Sequence, residues 1–268
     1  MILIRFIVSI LLAAIALAAV YFGGWVMMFF ILAVAVYAQF EMHSVTGINK
    51  KPALSIINYT AAVLIMPMMY FFDNLSGGLI VIAVYMVLVC VISVLQGDFS
   101  QAQKAVFSFI YPQIFFIFLY AVSLKELRVS QFVWIFTLLS AAMTDTFAFF
   151  SGKFFGKHKL CPEISPKKTV EGAIGGIIMG VAITSSFGIL TDKIFGVNLG
   201  DLVILKIVCF ALILSIFSEF GDLIASMIKR AYSVKDFGNL LPGHGGLLDR
   251  IDSIIFIMPV AYLLFWNL

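Results

Sequence analysis

The sequence predicts an all-α, polytopic integral membrane protein of about nine transmembrane helices, organised as a single membrane domain over residues 1–268. Three observations carry this. Hydrophobic residues make up 63% of the chain and charged residues 12%, against roughly 25% charged in ordinary soluble domains. The apolar residues fall in runs close to the roughly 20 positions a helix needs to cross a bilayer. The polar residues are concentrated instead in a few short stretches, above all 226–252, SMIKRAYSVKDFGNLLPGHGGLLDRID.

Taken in order, the runs lie at 4–21, 24–42, 53–72, 78–95, 104–123, 130–150, 170–190, 203–226 and 248–268. The first follows an early Arg5 and could pass for a secretory signal. A second run starts directly after Gly23 and Gly24, with nothing resembling a cleavage site between them, so a retained helix is expected. Pro67 and Pro112 fall inside runs and predict kinks, which membrane helices tolerate when neighbours satisfy the freed carbonyl.

Alternating the loops from a cytoplasmic N-terminus gathers Arg5, Lys50, Lys51, Lys104, Lys153, Lys157, Lys159, Lys167, Lys168, Lys229, Arg230 and Lys235 on one side. Only Lys125, Arg128 and Lys193 fall on the other. The positive-inside rule therefore orients the chain with its N-terminus inside and, for an odd helix count, its C-terminus outside. A cytoplasmic membrane, with the cation-rich loops on its inner face, is the expected location.

The net charge of +3 is small and lies in particular loops, which gives no support for nucleic-acid binding. Cys90, Cys161 and Cys209 are unrelated in spacing, so neither a disulfide framework nor a zinc site is indicated. Of the 31 charged residues, 17 basic and 14 acidic, ten precede residue 135 and 21 follow. Residues 1–134 therefore read mainly as scaffold, with Glu41, His43 and Asp98 expected at water-facing helix ends. Residues 135–268 are expected to carry the chemistry.

Three segments of that second half bring polar groups to the cytoplasmic side. The first, 145–172, holds Asp145 within a helix, then a basic loop with Lys167, Lys168 and His158, then Glu171. Much of this charge satisfies the topology rule by itself, and His158 reads as a solvated loop residue. In the second, Glu219, Asp222 and Ser226 follow at helical spacings of three and four, and Lys229 comes one turn later, so all four line one stripe. In the third, PGHGGLLDRID, a glycine-rich turn opens the last helix, with Asp249 and Asp252 in its first turns. Freed backbone N–H groups at Gly245 and Gly246 suggest a phosphate seat. Dipole complementation explains one of the two aspartates at best. Basic residues beside a membrane helix can be mere topology signals, and Gly/Pro clusters can be mere loops. Neither accounts for Asp222, Asp236, Asp249 and Asp252 against a membrane, where burying an unpartnered acid costs about 2.5 to 3.5 kcal/mol on insertion scales.

The spacing of Ser226, Lys229, Arg230, Lys235, Asp236, Gly238, Pro242, His244, Gly245, Gly246, Asp249, Arg250 and Asp252 resembles the signature of the phosphatidate cytidylyltransferases, the CDP-diglyceride synthases. The block Ser165–Gly172 and Asp145 with Gly152, Gly156 and Lys157 also resemble bacterial members. Phe147 stands where a small residue is expected, and Ala225 where many members carry an acid.

What the resemblance implies is transfer of the cytidylyl group of CTP to phosphatidic acid at a membrane-lipid surface, with Mg²⁺ and room for a second cation. Asp222, Asp249 and Lys229 are the implied catalytic residues, with Asp222 and Asp249 on the metal. Arg230 and Arg250 are assigned to phosphates, and Lys235, Asp236 and His244 to CTP or to shaping the loop. Lys167, Lys168, Ser226, Gly245, Gly246, Asp252 and Asp145 complete the substrate-binding set, and homodimerisation is left open. Two rivals stand beside this reading. A transporter also places acids in helices, but its usual paired halves are missing from the lopsided charge. An enzyme acting on another lipid phosphate, such as a polyprenyl phosphate, would need similar groups.

Overall fold

The computed structural model describes residues 13–197, 199–240 and 245–267. Nine α-helices lie in them: α1 Ala13–Phe22, α2 Gly24–Thr46, α3 Pro52–Phe72, α4 Leu75–Gln96, α5 Phe99–Ser123, α6 Leu127–Phe155, α7 Val170–Phe195, α8 Val203–Ala231 and α9 Leu248–Leu264. The helices α2 to α8 are each long and apolar enough to cross a membrane. The described part of α1 has ten residues and α9 has 17. Several helices start where the sequence supplies a cap or an N-terminal proline. Pro52 opens α3, the Asn74 side chain accepts from Ser76 N, and the Asp98 side chain accepts from Gln101 N at 3.2 Å. Pro67 and Pro112 lie inside α3 and α5 as expected.

One element departs from the expected basic loop. Residues Lys159–Cys161 (β1) and Ser165–Thr169 (β2) form an antiparallel hairpin between α6 and α7, pairing Lys159 with Thr169 and Cys161 with Ser165. Both ends of the hairpin are fastened locally. Thr169 caps α7 by accepting from Gly172 N at 3.2 Å, and the Glu171 carboxylate accepts from Lys157 N at 3.0 Å and meets His158 Nδ1 at 2.6 Å.

The chain divides into two compact units, each with its own packing. The first comprises the described residues of 1–124 together with Tyr232–Arg250. Here α2, α3, α4 and α5 pack on one another, with Tyr85 stacked on Phe109 at 4.0 Å. A ladder of buried polar side chains runs through the unit. Gln113 Nε2 donates to Ala35 O and Gln39 Oε1, Gln39 Nε2 to Ser108 O, and Asn58 Nδ2 to Ala105 O, while Asn58 and Ser55 flank the His43 ring. With no water in a hydrocarbon layer, such groups must satisfy one another. His43 and Glu41 are therefore not at water-facing helix ends as the sequence suggested; they are buried, at 0% and 1% exposure.

The second unit comprises Lys125–Ala231 and Ile251–Leu268. Its centre is the close approach of α6 and α7. Gly172 and Gly176 recur at a four-residue spacing on α7, and a Cβ on them would stand 2.8 Å from Ala148 O and 2.7 Å from Thr144 O. Small residues let the two backbones meet without that clash, and the contact fixes the level at which neighbouring Asp145 leaves α6. Phe132, Phe136, Phe210 and Phe265 form an aromatic cluster in the same unit, with centroid separations of 5.0 to 5.9 Å.

Candidate active site

In the second unit the acidic stripe of α8 faces a lysine of the hairpin. Lys168 Nζ lies 2.7 Å from Glu219 Oε2 and 2.8 Å from Asp222 Oδ2. The position of Lys168 follows from the hairpin, which turns β2 toward both α7 and α8. Its side chain is 18% exposed, and burial alone would lower its pKa. The charges of Asp222 and Glu219 and their hydrogen bonds outweigh that, holding the ammonium above the ordinary lysine range. Glu219 Oε1 remains buried with no hydrogen-bond partner among the described residues.

Asp252, near the start of α9, joins this group. A Cβ on Gly221 would meet Phe256 Cβ at 2.9 Å and Ser253 Cα at 3.0 Å, so the glycine before Asp222 is what lets α8 and α9 approach here. Asp252 is buried, within electrostatic reach of Asp222, Lys229 and Asp145, and Asp145 hydrogen-bonds Ser253. The unit thus brings together Asp145, Lys168, Glu219, Asp222, Lys229 and Asp252. Four carboxyl groups stand here with two ammonium groups, which gathers hard oxygen donors of the kind a divalent cation takes. Ser226 is half-buried on α8, Lys167 is exposed on β2, and exposed Arg230 donates from Nε to Ile164 O at 3.4 Å. Ala225, the departure from the signature, is wholly buried.

The remaining signature residues belong to the first unit. Lys235, Asp236 and Arg250 are exposed, and His244 lies outside the described residues. Asp249 Oδ2 accepts from Phe237 N at 2.8 Å and from Gly246 N at 2.9 Å, which closes the turn onto the helix start. Gly245, at φ 83°, adopts the left-handed conformation that turn requires. At the described end of the glycine-rich turn, protein oxygens already occupy N–H groups that a phosphate would use. Leu247 N and Leu248 N, at the start of α9, both donate to the Glu41 carboxylate at 2.8 Å, so these two N–H groups are already satisfied by a protein carboxylate. The helix N-terminus does attract an anion, but the protein supplies it.

Glu41 is the residue that sequence reasoning passed over. Its signal was a lone acid in an apolar helix, which normally marks function; its partners lie more than 200 positions away in the chain. Glu171, also singled out as an acid at a helix, turns out to fasten the hairpin. As to a metal, no three His, Cys, Asp or Glu side chains among the described residues converge into a ready-made cage. The available donors are hard carboxylate oxygens, one of them the orphaned Glu219 Oε1. That suits Mg²⁺, which takes one or two carboxylates and completes its octahedron with water and phosphate oxygens.

The model of the cytidylyltransferase family matches residues 3–268 of this chain. The phosphatidate cytidylyltransferase of Staphylococcus haemolyticus is 33% identical over 265 residues, covering 97% of this chain and 98% of its own. That of Staphylococcus saprophyticus is 35% identical over 246 residues, 90% of each chain. That of Bacillus subtilis is 46% identical over 121 residues, 45% of this chain and 42% of its own.

Proposed function

Since the chain belongs to the cytidylyltransferase family, we propose that the residues gathered around Asp222 and those of the Asp249 turn carry its reaction. It is an integral membrane enzyme that transfers CMP from CTP to phosphatidic acid, giving CDP-diacylglycerol and pyrophosphate. The observation that carries this is similarity to a phosphatidate cytidylyltransferase along 97% of the chain, signature included.

In the proposed mechanism a phosphate oxygen of the lipid attacks the α-phosphorus of CTP. A new P–O bond forms as the bond to the β-phosphate oxygen breaks, and pyrophosphate leaves with that electron pair. No side-chain nucleophile is needed, so the protein's task is positioning and charge stabilisation. Lys229, Arg230 and Arg250 are assigned to phosphate oxygens, where donors aimed at developing charge are most effective. Lys167, Lys168, Ser226, Lys235, Asp236, His244, Gly245, Gly246, Asp252 and Asp145 are retained as the wider substrate-binding set. Within it, Lys168 acts through its hold on Asp222 and Glu219.

Asp222 and Asp249 are each proposed as an oxygen ligand of Mg²⁺, a second cation being left open. When bound, a divalent ion offsets the charge of the nucleotide and stabilises the leaving pyrophosphate. The carboxyl oxygens gathered around Asp222 and the orphaned Glu219 Oε1 support this.

Nine spans with the N-terminus on the cytoplasmic side of a bacterial inner membrane, one membrane domain whose first 134 residues are mainly scaffold, and no role for nucleic acid complete the proposal, with homodimerisation left open. The positive-inside count and the seven long apolar helices support the topology. Incubating purified protein with labelled CTP and phosphatidic acid tests the reaction. Labelled lipid is expected, and label appearing only when a polyprenyl phosphate replaces phosphatidic acid would redirect the reading to that rival.

A further inference from the structure

Glu41 lies in the half of the chain that composition assigns to scaffold, yet it is among the most buried acids of the molecule and both its oxygens are used. Oε1 accepts from Leu247 N and Oε2 from Leu248 N, each at 2.8 Å, at the start of α9. Charge-assisted bonds of this length are among the stronger ones a carboxylate makes, and an unpartnered acid at 1% exposure would be costly. Two glycines of the signature make room for it. A Cβ on Gly238 or on Gly246 would stand 2.5 Å from Glu41 Oε1, and for Gly238 the three nearest atoms all belong to Glu41. On the far side of the turn, Asp249 Oδ2 holds Phe237 N and Gly246 N.

We infer that Glu41 is a positioning residue: reaching from α2, its carboxylate fills the N-terminus of α9 where a substrate phosphate could otherwise sit, and so sets the geometry of the turn that presents Asp249 and Arg250. This rests on the assignment of those two residues to the reaction. It also explains the signature's glycines at 238 and 246 as clearance for an acid contributed by a distant helix. Substrate phosphates are directed to the side chains of the loop and away from the amides of Leu247 and Leu248.

The test compares wild type with Glu41→Ala in detergent by amide hydrogen exchange of peptides covering 237–250, by melting, and by kcat and KM for CTP. The expected result is fast exchange confined to the turn, melting of the remainder little changed, and kcat lower by about tenfold or more, the scale on which misplaced catalytic groups act. Unchanged exchange in the turn, or fast exchange with wild-type kcat, overturns the inference. Should Glu41→Ala fail to fold, Gly238→Ala, which crowds the same carboxylate without removing it, must show the same fast exchange, and its failure to do so is equally decisive. Where both fold, the pair Glu41→Ala/Gly238→Ala is expected to be no slower than Glu41→Ala alone; multiplying effects would mean the glycine serves something else. The exchange arm does not need turnover. A wild-type protein that makes no labelled lipid would sink the functional reading and leave the placement of Glu41 to be decided by exchange.

Discussion

Lys168 Nζ stands 2.8 Å from Asp222 Oδ2, joining a strand of a surface hairpin to the acid at the centre of the proposed site. The same ammonium holds Glu219 at 2.7 Å. A carboxylate one turn away on α8 therefore shares one counter-charge with Asp222. The hairpin is thus part of what sets the charge around Asp222.

Replacing Lys168 by Met should destabilise the protein by about 3 kcal/mol, because Glu219, at 5% exposure, would lose its cation and stay buried. The double variant Lys168→Met/Glu219→Gln should recover a measurable part of that loss. Melting in detergent reads both, and a Lys168→Met protein that melts like wild type would show that the pair contributes nothing.

Asp222→Asn and Asp249→Asn should each yield a folded, membrane-inserted protein that no longer incorporates CTP into lipid. In the wild type, chelation with EDTA should abolish turnover and added Mg²⁺ restore it, with melting little changed. Either variant keeping wild-type turnover at the same Mg²⁺ optimum removes that aspartate from the metal.

Lys229→Gln and Arg250→Gln should lower kcat/KM for CTP, each lost charged hydrogen bond being worth roughly 1.5 to 3 kcal/mol, or about ten- to a hundredfold. Were these residues only interfacial anchors, membrane yield would fall and the turnover of purified protein would not. Full activity in both variants would take them out of the site.

Cysteines introduced at exposed Lys167 and Lys235, in a background lacking Cys90, Cys161 and Cys209, should react with an impermeant reagent only when it reaches the cytoplasmic face. Labelling from the opposite face would invert the topology and with it the placement of the reaction.

The sequence by itself determined the class of molecule and the chemistry of its signature, because both are written in neighbouring positions. A run of about 20 apolar residues decides for a spanning helix wherever the rest of the chain lies, and the observed α2 to α8 follow the runs closely. The stripe of Glu219, Asp222, Ser226 and Lys229 is likewise a property of one helix and of spacing alone. Only the tertiary structure decided which groups satisfy which. Lys168 meets Glu219 across 51 positions and Glu41 meets Leu247 across 206, and no local pattern records such pairings. They follow from the rule that a buried charge or a helix-terminal N–H must find a partner, and the folded chain offers that partner in three dimensions. For that reason an acid that composition assigns to scaffold became the anion of the signature turn. At the described end of the glycine-rich stretch, the N–H groups of Gly246, Leu247 and Leu248 are taken by the protein's own carboxylates.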